Sequence, residues 1–108
     1  MILKYLKKTG KIETTNSDTI FIQDSELVID KVGIYQKSEG GYANIRTASG
    51  ESTGATITLN SGILDSISSS QANISLEGTN DKVFINGGFI ILISLCSMIY
   101  SMCCSFVI

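Results

Sequence analysis

Ile45-Arg46-Thr47-Ala48-Ser49-Gly50, Ile57-Thr58-Leu59-Asn60-Ser61-Gly62, Ile74-Ser75-Leu76-Glu77-Gly78 and Val83-Phe84-Ile85-Asn86-Gly87 are four versions of one phrase. Each alternates apolar and other residues at a period of two, as a strand buried on one face does. Each then stops at glycine or Ser-Gly, where a positive backbone angle lets the chain turn. A row made of Ile45, Ile57, Leu59, Ile74, Leu76, Val83 and Ile85 is expected to face inward, with Arg46, Thr58, Ser75 and Phe84 outward. One such strand cannot bury its apolar row alone, whereas stacked neighbours share a core and pair their backbones. The leading apolar residues are twelve, seventeen and nine positions apart, too uneven for a strict repeat. Ile63, Leu64 and Ile67 lie in the longest gap and form a further candidate strand.

Upstream, Thr19-Ile20-Phe21-Ile22 and Glu26-Leu27-Val28-Ile29-Asp30 are β-rich runs parted by Gln23-Asp24-Ser25. Val32 and Ile34 continue the alternation to the turn signal Ser38-Glu39-Gly40-Gly41. No amphipathic helix is evident before residue 88. The expected fold is mainly β: a short solenoid-like or stacked-strand repeat module over residues 1–88, then a separate apolar segment, 89–108.

That segment follows Lys82, the last charged residue of the 108, and contains no charge, proline or glycine. About twenty apolar residues suffice to cross a bilayer as a helix. Residues 89–108 are therefore expected to form a transmembrane helix in contact with membrane lipid. Ser97, Ser101 and Ser105 recur every four residues, a small-residue face for helix packing. Adjacent Cys103 and Cys104 are candidate lipidation sites, against the simpler reading that they are small hydrophobes. Three other readings of 89–108 stay open: a buried core element, a cleaved lipid-anchor tail, or an out-of-frame appendage to a truncated fibre gene.

Composition narrows the chemistry. The formal charge is −2, and there is no histidine, proline or tryptophan. Lys4, Lys7, Lys8 and Lys11 cluster near the N-terminus, but no broad basic field invites nucleic acid. Without histidine the commonest general base is missing, and no Gly-x-Ser-x-Gly elbow or phosphate-binding glycine loop occurs. No catalytic residue, metal set or cofactor is expected. The best carboxylate group is Asp24, Glu26 and Asp30, with Glu26 and Asp30 expected on one outward face and Asp24 close by. It suits a degraded lyase-type site or a loosely held calcium ion, and solvated edge charges that discourage aggregation are the commoner explanation. Tyr35 and Tyr42 are the aromatic candidates for a binding surface. Asn73-Ile74-Ser75 matches a glycosylation tripeptide, and Thr56 with Thr58 reflects ordinary β propensity.

The run from Asn44 to Gly62, with its β pair, Ser-Gly stop and Ser-Thr-Gly linker, resembles the low-complexity repeats of phage and virus tail fibres and bacterial surface adhesins. The resemblance implies a β-solenoid or intertwined fibre serving as spacer or host-binding surface. The expected function is a non-catalytic module for display or adhesion, anchored in a membrane by 89–108. Homo-oligomers, glycans or cell-surface ligands are its candidate partners. Two alternatives remain: a truncated tail-fibre or adhesin fragment, located on a virion or cell-surface fibre, or the remnant of a polysaccharide lyase or glycosidase.

Overall fold

A computed structural model describes residues 5–6, 10–50, 54–68, 71–91, 99–101 and 105–107. The chain is mainly β, and no described residue is helical. Its strands fall into three sheets in which every pairing is parallel. The first sheet runs β1 (Tyr5–Leu6), β4 (Glu26–Ile29), β7 (Thr56–Leu59), β10 (Lys82–Ile85) and β13 (Ser105–Val107). The second holds β2 (Gly10–Thr14), β5 (Val32–Gln36), β8 (Gly62–Ser66) and β11 (Phe89–Ile91). The third holds β3 (Ile20–Ile22), β6 (Ile45–Thr47), β9 (Ile74–Leu76) and β12 (Ile99–Ser101). Successive strands visit the sheets in rotation, so the chain coils and each turn lies on the one before.

The coil explains the uneven spacing of the four phrases. Ile45 is in register with Ile74 in the third sheet, and Ile57 with Val83 in the first. The phrases thus alternate between two sides of the coil. The third side passes through the longest gap as β8, where Leu64 points inward and is buried.

Inner rows run straight up the coil. Leu27, Ile57 and Val83 form one, Ile20, Ile45 and Ile74 another, and all six are fully buried. Removing each such side chain from water is worth about 1.5–3 kcal/mol. The expected inner residues are buried, with Ile85 partly so. Ser75 departs from its expectation. It sits at an outward position beside Arg46 yet is 2% exposed, because Glu77 and its neighbours cover it.

Of the glycines that end the phrases, Gly50 and Gly62 take the expected positive φ, whereas Gly78 and Gly87 do not; Gly54 and Gly88 take it as well. Gly62 has φ +118, and a Cβ there would lie 2.2 Å from the Val32 carbonyl oxygen on the turn beneath. Only glycine lets β7 bend into β8 while the two turns stay stacked. Gly54 answers the same need at another corner, where a Cβ would come within 2.1 Å of the Asn80 carbonyl oxygen.

Of the expected transmembrane helix at 89–108, the described stretches Phe89–Ile91, Ile99–Ser101 and Ser105–Val107 are strands paired to β8, β9 and β10. The remainder of that segment, with Cys96, Ser97, Cys103 and Cys104, lies outside the described residues. Among the described residues no helix is long and apolar enough to cross a membrane, a statement that leaves strand-built crossings untouched.

Candidate functional site

Arg46 stands on the outer face of the third sheet, between groups from the turns above and below. Its Nε donates to Asp18 Oδ2 at 2.8 Å, and its Nη1 donates to Glu77 Oε2. Nη2 reaches Gln71 Oε1 at 3.4 Å, while Ser75 Oγ donates to the same Glu77 oxygen at 3.0 Å. Asp18 is held in turn by the Ala43 amide, which donates to its Oδ1 at 2.8 Å. Burial by itself lowers the Arg46 pKa, but the hydrogen bonds and charges of Asp18 and Glu77 outweigh it, and the net shift is upward. The guanidinium is therefore a permanent cation whose fork is filled by two carboxylates. Phe21 is in register beside it and 42% exposed.

Asp81 is the second constellation and faces the interior. It is 2% exposed. The amides of Ala55 and Gly78 each donate to its carboxylate at 2.8 Å, and Thr47 Oγ1 donates to it as well. Thr47 Oγ1 accepts from the Glu77 amide at 2.8 Å. Thr47 occupies an inner position where the row would otherwise take an apolar side chain, since its neighbour in register is Ile22. Asp81 is the reason: the two polar groups satisfy each other in a place without water.

The expected carboxylate group is strung along one strand, β4, and its two ends. Asp24, with φ 48, turns the corner before β4, and its Oδ1 accepts from the Gly54 amide at 3.1 Å. Glu26 is exposed at the start of β4. Asp30 lies past the other end of that strand, where its Oδ1 accepts from Ser61 Oγ at 2.6 Å. Glu26 and Asp30 thus lie at opposite ends of the strand, about 13 Å apart along the backbone. Among the described residues no group of three potential ligands could hold a metal ion.

Tyr35 lies on the outer face of β5 with its ring tip over Gly33, where a Cβ would come within 2.5 Å of it. Lys37 Nζ stands 5.4 Å from the ring centroid. Tyr42 is in the loop before β6 and 38% exposed, on a different part of the surface. Ser101 and Ser105 belong to β12 and β13. The glycosylation tripeptide is consumed by the fold: Asn73 is 2% exposed and its Nδ2 donates to the Ile91 carbonyl at 2.9 Å.

Sequence reading missed Asp18, Arg46 with Glu77, Asp81, and Asn44 with Asn73 as working groups. Their partners lie roughly one turn of the coil away. Arg46 and Asp18 are 28 residues apart, and Asp81 and Ala55 are 26 apart. Similar separations relate the paired strands, such as Ile20 with Ile45, Ile45 with Ile74 and Ile57 with Val83, so the strand register, once known, would have pointed to them. No protein-family model matches the chain, and neither curated proteins nor solved structures offer a similar one.

Proposed function

We propose that the chain is a non-catalytic β-solenoid module whose work is mechanical: a rigid spacer that displays its outer faces, in the manner of tail-fibre and adhesin repeats. The observation that carries this reading is the use made of the polar side chains. Arg46 joins three turns, Asp81 ties two corners together, Asp30 holds Ser61, and Asn60 Oδ1 accepts from Asn86 Nδ2 at 2.9 Å. These groups are engaged in fastening one turn to the next. A catalytic site needs groups left partly unsatisfied and poised at a shared point.

On this reading Phe89–Ile91, Ile99–Ser101 and Ser105–Val107 belong to a further turn of the coil. The pairing of β11, β12 and β13 with the strands before them supports that over an anchor helix. The test is alkaline carbonate extraction of membranes from cells expressing the whole chain, with far-ultraviolet circular dichroism of the purified protein. Release by carbonate and a strand spectrum are expected. Retention until detergent is added, with a helical contribution, would overturn the reading and restore the membrane-anchored module.

A further inference from the structure

The two ends of the coil differ. In the second sheet one inner row consists of Ile12, Ile34, Leu64 and Ile90, in register. Ile34 and Leu64 are fully buried, whereas Ile12 and Ile90, at the two ends of the row, are only partly buried. β2 and β11 are the edge strands of this sheet. An edge strand is a template for pairing with another chain unless something guards it.

The β2 edge is guarded. Lys11 and Glu13 are exposed on it, 3.7 Å apart as an ion pair, and the sequence places Lys4, Lys7 and Lys8 just before them. Edge lysines oppose strand addition, because pairing would strip water from their charge. β11 itself carries no charged residue. No charged residue follows Lys82. Phe89 is 71% and Ile91 43% exposed, and they lie side by side on the outer face of this edge strand.

We propose that two copies of this chain join through β11 into a closed, two-fold dimer. Antiparallel pairing of β11 with its counterpart, centred on Ile90, is self-complementary. Ile90 then faces the partner's Ile90 and continues the inner row, while Phe89 on each copy faces the partner's Ile91. Aromatic and β-branched residues opposite one another are favourable cross-strand neighbours. Head-to-tail stacking would instead set the apolar β11 edge against the lysine-guarded β2 edge, and would leave growth open. The dimer rests on the coil continuing through β11, as in the function proposed above, but not on what the outer faces contact.

The experiment is sedimentation velocity on the whole chain over a range of concentrations, with circular dichroism alongside. A species that saturates at two copies is expected. The double variant Phe89→Lys, Ile91→Lys is expected to weaken association roughly tenfold or more with an unchanged spectrum, because both side chains are largely outside the core. Lys11→Ala, at the opposite end, is expected to leave the dimer intact. A β-rich monomer at every concentration, growth beyond two copies, or a double variant that stays dimeric would each overturn the closed dimer through β11 while leaving the coil standing. A helical, carbonate-resistant chain would overturn both.

Discussion

Asn44 Nδ2 donates to Asn73 Oδ1 across 3.1 Å, from one turn of the coil to the next, with both residues buried. The same amide nitrogen meets the Ile34 carbonyl at 2.7 Å and the Asp65 carbonyl at 3.2 Å. Three acceptors around one donor group determine which way the amide points. Asn44 is thus a polar pin at the corner between the second and third sheets, tying carbonyls of β5 and β8 and the asparagine of the next turn to one side chain. Asn44→Ala removes all three of these bonds, and the loss of stability in a urea titration is expected to be about 1–3 kcal/mol. Asn44→Asp is expected to be worse, since it turns a carboxylate oxygen toward the carbonyls that Nδ2 now serves.

Asp81 supports the next corner in the opposite sense, as an acceptor among donors. Asp81→Ala strands the Ala55 and Gly78 amides and the Thr47 hydroxyl in one step. Hydrogen bonds to a charged group contribute about 1.5–3 kcal/mol each, so this substitution is expected to cost more than Asn44→Ala. Thermal unfolding of the two variants side by side checks the order. The pair Asp81→Ala, Thr47→Val removes both partners together, and is expected to be less harmful than the sum of the two single changes.

Two glycines at strand starts separate conformational need from coincidence. Gly62→Ala forces a side chain onto φ +118 and into the Val32 carbonyl, and strain of this kind costs on the order of 1–3 kcal/mol. Gly10 opens β2 and has nothing within 4 Å of its Cβ position. Gly10→Ala is expected to stay within about 0.5 kcal/mol of the parent. Equal losses for the two variants in a denaturant titration would contradict this account of the corner.

Arg46 bridges Asp18 and Glu77 at the surface, with its side chain 21% exposed. Arg46→Lys keeps the charge but has no planar fork to serve two carboxylates. It is expected to lose roughly 1 kcal/mol. Arg46→Met should lose more at low salt than at high salt, because it leaves Asp18 and Glu77 without the cation between them and salt screens their repulsion. Melting temperatures at two ionic strengths decide the point. A salt-independent loss would mean that Arg46 acts through packing alone.

The period-two alternation decided that Ile45, Ile57, Leu59, Ile74, Leu76 and Val83 are inner residues, because a pleated strand presents alternate side chains to opposite faces whatever its neighbours. Glycine marked the corners at Gly50 and Gly62, whose positive φ few other residues accept, while Gly78 and Gly87 end their phrases without it. The sequence by itself therefore determined a mainly β chain, its strand faces and most of its turns. The pairing partners were decided only by the tertiary structure. Ile45 lies opposite Ile74 and not Ile57, because a coil with three sides brings each phrase back over the one before last. The spacing along the chain mixes strand and corner lengths, and the corners differ. The polar constellations follow from that same stacking. Asp18, Arg46 and Glu77, or Asp81 and Thr47, are unremarkable residues in sequence and become bridges only when successive turns are set one parallel-strand spacing apart, about 4.8 Å.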